Sequence, residues 1–513
     1  MTLARNAFMI AAVVGTCATA TLAQFDNSPW PGFAGTASKR RAITAPAPVT
    51  ADAVTYNVGV PSYGGITLGA DGSVYFKEYW TNANGDGTGN RTIVKKLNPD
   101  TGAVDAESIN LGGVGGDHGG VAVGVDALYV TNYRGEGLTS VFKLNKTTLA
   151  VINEFTNASW RGIRGTALIG NALNANGHVN IYVVDRNGNQ ILAIDSVTGA
   201  QMGVFAFGGH VLSQLGPMWT EKGRDVFAYF NNSDLGNAVA LRDNGDGTLT
   251  NLWSVFSGPG NFNWWGSGAL SEDGSRIYVT TFNDNLTPSL WALNTSDGTA
   301  IWSVDGRRFE ADELNFFGRP AVVGNSIYCG GGAEVIAKFT DNGKGYTRNW
   351  VRWGPGGGVN PPSGPEMTTT TAVRNAKGEV YIYSIAQDIG GEHGRLDVLR
   401  DNGDSFTEVF RTDLGGTMRW STFSSSSGTV DTDGNLWVGG GRNADVARGV
   451  VYKFSVAGGP QCEPDWNHDD VLNSQDFFDF LVDFFANNSD FNHDNLTNSQ
   501  DFFDFLSAFF TGC

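Results

Sequence analysis

One mark recurs along most of this chain. An aliphatic residue followed at once by an aromatic appears as Val74-Tyr75, Leu128-Tyr129, Ile181-Tyr182, Val226-Phe227, Ile277-Tyr278, Ile327-Tyr328, Val380-Tyr381 and Leu436-Trp437, at spacings of 45 to 56 residues. Each sits in a short β-type run, usually after a glycine-containing turn such as Ala70-Asp71-Gly72. About twenty residues later an apolar residue leads into a second turn, as in Leu97 to Gly102, Ile194 to Gly199, Leu241 to Asp246 and Leu293 to Gly298. The Asp, Asn and Gly there tolerate the positive φ of tight hairpins. One more strand follows each turn, for example Ala300 to Val304. Four short strands per unit, repeated at this period with no helical pattern between them, predict a mainly β chain folded as a β-propeller. Eight marks predict eight blades, with seven as the fallback. The last unit ends at its third strand, Val450 to Phe454, whereas Ala53 to Val58 is a strand without a unit. If the latter supplies the missing outer strand, the ring closes and no free edge remains.

The rest of the chain divides around that repeat. Residues 1–23 read as an export signal: Arg5, an apolar core from Phe8 to Val14, and a small-residue cleavage site before Gln24. Residues 24–51 are rich in Ala, Pro, Ser and Thr and read as a flexible lead-in; 52–456 are the propeller, 457–461 a linker and 462–513 a separate tail. No other apolar run is long enough to span a bilayer. The expected location is therefore extracellular or at the cell surface. A formal charge of -18 argues against nucleic acid as a partner. Eleven of those charges lie between Glu463 and Cys513, which hold ten Asp, one Glu and no Lys or Arg. Carboxylates that dense repel unless a cation neutralises them. Cys462 and Cys513 bracket the tail and are expected to form a disulfide in an oxidising compartment. Cys329 sits in a strand pattern and reads as a buried thiol.

The tail is an internal duplication. Asp465, Asn467, Asp469, Val471, Asn473 and Asp476 occupy loop positions 1, 3, 5, 7, 9 and 12, and Asp490, Asn492, Asp494, Leu496, Asn498 and Asp501 repeat them. Side-chain oxygens with a backbone carbonyl at position 7 are what Ca²⁺ requires, so two Ca²⁺ sites are expected. The alternative, an Asx-rich turn that only caps the next helix, fits one loop more readily than two in register. Each loop opens a Phe-rich amphipathic run, Phe477 to Phe485 and Phe502 to Phe510. A module of about fifty residues cannot bury all of these rings, so some are expected on the surface as a partner site.

A loop-helix unit with Asp at position 12, present twice, resembles a dockerin domain over residues 462–513. Its flanking cysteines and Gly-Cys end more closely resemble the GC-type dockerin-like modules of exported planctomycete proteins. Asp470 and Asn495 stand where the pattern has Gly, which puts the first site's strength in question. The resemblance implies a Ca²⁺-dependent module that docks on a cohesin-like or surface-anchoring protein. It further implies that loop positions 10 and 11, here Ser474-Gln475 and Ser499-Gln500, select the partner, and that their identity permits two orientations. The turn-plus-Trp pattern Trp291 to Trp302 resembles the repeat of quinoprotein (PQQ) dehydrogenase-like propellers. Those dehydrogenases carry a neighbouring-Cys pair that this chain lacks, so the resemblance supports the fold and argues against PQQ as cofactor.

Propeller ligands usually meet the loops leading into the inner strands. Here those loops offer Tyr63, Asp117, His118, Arg161, Arg164, Trp219, Trp264, Trp265, Arg319, Glu366, Arg419 and Trp420. Such a mix of cations and aromatic faces suits an anionic glycan. His118, Arg164, Arg319 and Glu366 are the candidates for acid-base work in a lyase. The expectation is an exported calcium-binding protein whose propeller is a ligand- or protein-binding platform attached through its tail. A polysaccharide-active enzyme with its site at the propeller mouth is the alternative.

Overall fold

The computed structural model describes residues 28, 41–58, 61–80, 91–112, 119–133, 139–206, 220–232, 235–259, 268–280, 288–305, 320–331, 335–353, 369–387, 394–414, 428–440, 450–457, 464–467, 472–492 and 496–511. They form eight sheets, antiparallel except for one parallel strand in the seventh blade, followed by two helices. This is the eight-bladed propeller that the repeat predicts. Blades 1 to 8 begin at Pro61, Val121, Ile163, Thr220, Gly268, Ala321, Thr369 and Thr429. The first strands of neighbouring blades adjoin and form the inner wall.

Burial explains why the repeat is visible in sequence. The second and third strands of a blade are covered on both faces by the neighbouring blades, so they read as apolar runs. Leu128–Tyr133 and Thr139–Leu144 are buried throughout. The outermost strand Val151–Thr156 is mostly exposed. Every aliphatic-aromatic mark lies in the second strand of its blade, and the turn that follows joins the third strand to the fourth.

These two marks meet between blades. The hydroxyl of Tyr75 donates to the carbonyl of Lys146 at 2.9 Å, that of Tyr182 to Asp243 Oδ2 at 2.6 Å, that of Tyr278 to Asp341 Oδ2 at 2.8 Å and that of Tyr328 to Asp401 Oδ2 at 2.7 Å. Each acceptor belongs to the second turn of the next blade. Blade 4 has Phe227 at this place, and there Trp253 Nε1 donates to the Thr295 carbonyl at 3.0 Å instead. Gly298 completes that turn at φ +73°, and a Cβ on it would lie 2.7 Å from the Trp253 ring.

The ring closes as the orphan strand implies. Strand β2 (Val49–Tyr56) pairs antiparallel with Val450–Val456 as the outer strand of blade 8. Ile66, Leu68, Val74 and Phe76 of blade 1 pack against Trp437 and Val451 of blade 8. A shorter strand, β1 (Ala42–Thr44), pairs parallel with Thr369–Arg374, the first strand of blade 7. It adds a fifth, innermost strand to that blade. Both β1 and the start of β2 fall in the stretch read from sequence as a lead-in.

Helices α1 (Ser474–Phe485) and α2 (Ser499–Thr511) follow the propeller. No helix among the described residues is long and apolar enough to cross a membrane. Cys329 is free and fully buried in blade 6, and burial pushes its thiol well above the ordinary range. Cys462 and Cys513 lie outside the described residues.

Candidate functional site

Strands alternate in direction, so the loops entering each blade lie on one face of the ring and the glycine turns on the other. Of the residues expected on the loop face, Asp117, His118, Trp219, Trp264, Trp265, Arg319, Glu366, Arg419 and Trp420 lie outside the described residues, as do the side chains of Tyr63 and Arg164. Arg161 is the one that is described, and its side chain is exposed. Its backbone is pinned by a residue that sequence reading missed. Buried Asp185, at the end of the second strand of blade 3, accepts from the N–H of Arg161 at 3.1 Å, Gly162 at 2.7 Å and Gly188 at 3.1 Å, and from Gln190 Nε2 at 2.8 Å. A lone Asp at a strand end carries no periodic signal, so only the fold reveals it. On the opposite face a polar cavity of about 570 Å³ between blades 5 and 6 is lined by Glu272, Asp273, Arg276 and Asp341. Arg276 and Asp341 there form an ion pair.

The tail site builds from its two acids at position 12. Asn473 caps α1: its side chain accepts from Gln475 N at 2.7 Å, while Asp476 Oδ2 accepts from Asn473 N at 2.8 Å. The other oxygen of Asp476 accepts from Asn467 N at 3.3 Å, tying the start of the loop to its end. Asp501 repeats this, accepting from Asn498 N at 2.8 Å, Phe491 N at 2.9 Å and Asn492 N at 3.2 Å. Burial alone raises both carboxyls. The hydrogen bonds they receive outweigh it and hold both below the usual carboxylate range, and the Asp465 side chain also lies within hydrogen-bonding reach of Asp476. Asp465, Asp476 and Asp501 are buried, while Asn467 and Asn492 are exposed. Asp469, Val471 and Asp494 lie outside the described residues, and among those described no three acids, His or Cys gather into one metal-binding group.

The two helices meet as halves of one symmetric body. Rings twenty-five residues apart make matching contacts: Phe477 to Phe509 at 6.0 Å and Phe484 to Phe502 at 5.7 Å; Phe477 to Phe505 at 6.4 Å and Phe480 to Phe502 at 6.5 Å. Phe480 and Phe505 are fully buried, with Trp466 and Phe491 edge-on against them. The remaining rings point outward as the composition demands. Phe478, Phe485, Phe503 and Phe510 are 57, 81, 62 and 80 % exposed. Ser474, Gln475, Ser499 and Gln500 are also exposed, and the Gln475 and Gln500 amides donate at 2.8 Å to Asp479 and Asp504.

Residues 261–459, covering blades 5 to 8, match the family model PQQ_2, described as outer membrane protein assembly factor BamB. No curated protein matches the chain in sequence. Among solved structures, BamB from Moraxella catarrhalis is 14% identical with a TM-score of 0.50, over 79% of this chain and 99% of that one. Sqt1 from Chaetomium thermophilum, solved with the N-terminus of ribosomal protein L10, is 13% identical with a TM-score of 0.47, over 84% of this chain and 98% of that one. Fold and repeat together define the class: this is an eight-bladed β-propeller, similar in architecture to BamB and matching the PQQ_2 model over its last four blades, with a duplicated helical tail.

Proposed function

We propose that this is an exported platform protein whose propeller binds another protein and whose tail is a dockerin-like, calcium-dependent docking module. The carrying observation is the paired geometry of Asp476 and Asp501. Each carboxylate joins the first and last thirds of its loop, and two buried acids, Asp465 and Asp476, face one another in the first loop. Adjacent buried carboxylates favour a cation between them. In this reading Asp465, Asn467, Asp469, the Val471 carbonyl, Asn473 and Asp476 hold one Ca²⁺, and Asp490, Asn492, Asp494, the Leu496 carbonyl, Asn498 and Asp501 the other. Ca²⁺ supplies the positive charge that a segment without Lys or Arg lacks. The likeness to an outer membrane assembly factor supports an extracytoplasmic setting and a protein partner for the propeller. The GC-type planctomycete resemblance supports anchoring through the tail.

The test is a calorimetric Ca²⁺ titration of the mature chain, with hydrogen exchange of residues 464–511 with and without EDTA. Two Ca²⁺ per chain and loss of protection in EDTA are expected. Absence of any Ca²⁺ heat up to millimolar concentrations, with unchanged protection, would refute the reading.

A further inference from the structure

Strand β1 lies on the channel side of the ring, as the innermost strand of blade 7. The first strand of blade 7 descends from the loop face at Thr369 to the turn face at Arg374. Strand β1 is parallel to it, with Ala42 opposite Ala372 and Thr44 opposite Arg374, so β1 descends along the channel side of blade 7. Residues 45–48 then cross under blades 7 and 8, where the Pro48 carbonyl accepts from Ala457 N at 2.7 Å, and β2 climbs the outer edge of blade 8.

Arg41 heads this thread, and its carbonyl accepts from Ala372 N at 3.0 Å. The residue is 1% exposed, and its Nε, Nη1 and Nη2 atoms have no hydrogen-bond partner among the described residues. The other deeply buried bases have partners: Lys77 Nζ donates to the Thr131 carbonyl at 3.1 Å. Lys95 meets Glu78 at 2.7 Å, Lys338 meets Asp401 at 2.6 Å and Arg352 meets Asp397 at 2.9 Å. Arg41 also holds φ +52°, a left-handed backbone that residues with a Cβ disfavour because it crowds the following carbonyl. An unpaired buried guanidinium is among the most costly groups a fold can carry. Burial pushes this one down to about 9, so it still carries its charge at neutral pH. A buried charge and a strained backbone at one residue point to a partner that the described residues do not supply.

We propose that Arg41 is an anion-binding residue inside the propeller, taking the two oxygens of a carboxylate or of a small oxyanion such as sulfate. The planar guanidinium fork matches that pair of oxygens. The inference is independent of the calcium reading of the tail.

The experiment titrates the mature chain with sodium sulfate, formate and glucuronate at fixed ionic strength, following calorimetric heat and thermal unfolding. Saturable 1:1 binding is expected for wild type, with an anion-dependent rise in Tm. Arg41→Met should bind at least tenfold more weakly and, without anion, unfold no earlier than wild type, because it removes an unpaired charge. Glucuronate binding tenfold tighter than formate assigns the anion to a sugar acid; equal affinities assign it to a free ion. No saturable binding by wild type, or equal binding by Arg41→Met, overturns the proposal. If Arg41→Met does not fold, Arg41→Lys decides: it keeps the charge without the fork, and unchanged sulfate affinity overturns the proposal.

Discussion

Phe480 and Phe505 stack face to face, their centroids 3.8 Å apart and their planes 2° from parallel. They occupy the same place in the two halves of the duplication, so the stack lies on the axis relating them. Truncating either ring removes the centre of the small core formed with Trp466 and Phe491. Phe480→Ala and Phe505→Ala should each cost about 3–5 kcal/mol. The double variant should lose less than the sum, because the two rings share one contact. Phe478→Ala, at an exposed ring, should change stability by less than about 0.5 kcal/mol. Hydrogen exchange of α1 and α2 in the full chain measures all four.

Asp476 and Asp501 set the acid limit of the tail. Burial raises each carboxyl, but the backbone hydrogen bonds lower it further, so the folded-state value lies below the unfolded one. A depressed carboxyl stabilises the fold above its unfolded value, about 3.9, and that stability is lost as pH falls through the folded value. Protection of residues 464–511 should therefore hold at pH 7 and begin to fall below about pH 4. Asp476→Asn and Asp501→Asn should each weaken this acid dependence and, on the calcium reading, lower the Ca²⁺ stoichiometry from two to one.

The blades are legible in the sequence because one physical demand is repeated eight times. A strand covered on both faces needs aliphatic residues, and the turn after the third strand needs Asn, Asp or Gly. The meeting of those two marks across blades, as in Tyr182 with Asp243, is not legible, because it joins residues of different units. Strand β1 escapes for a different reason. Ala42-Ile43-Thr44 is too short for a period, and its strand conformation is set by the free inner edge of blade 7. Likewise the duplication shows that the tail has two matching halves. It does not show that Asp476 and Asp501 also cap the helices, a role that depends on where the loop's first residues fold back. Of the candidates read as entry-loop residues, Tyr63 and Arg164 instead fall within the first strands of blades 1 and 3, because strand ends carry no sharp local signal.

Asp401 is the point where three donors from blade 6 converge on blade 7. Its carboxylate accepts from Tyr328 Oη at 2.7 Å, Lys338 Nζ at 2.6 Å and Trp350 Nε1 at 3.0 Å. Asp401→Ala would strand a buried ammonium and should cost about 3–5 kcal/mol. Tyr328→Phe removes one neutral donor and leaves two, so it should cost about 1–3 kcal/mol. Denaturant unfolding of the two variants should give that order, and the reverse order would mean that the Tyr328 hydroxyl contributes more than the ion pair.

The exposed rings of the tail form two matching sets, Phe478 and Phe485 on α1 and Phe503 and Phe510 on α2. If the module docks through them, a partner seated on either set finds the same two rings at the same spacing, flanked by Asp479 or Asp504. Replacing one set by Ser should then lower the number of equivalent binding modes and weaken affinity by about twofold, since half the modes survive. Replacing both should abolish docking while leaving the buried Phe480–Phe505 stack and the helices intact. Pull-down of a purified partner, with hydrogen exchange as the folding control, separates these outcomes. Loss of docking from a single set would mean that only one helix is used. The Val482 position then offers the reason, because its counterpart in the second half is Ser507 and the two faces differ there in apolar surface.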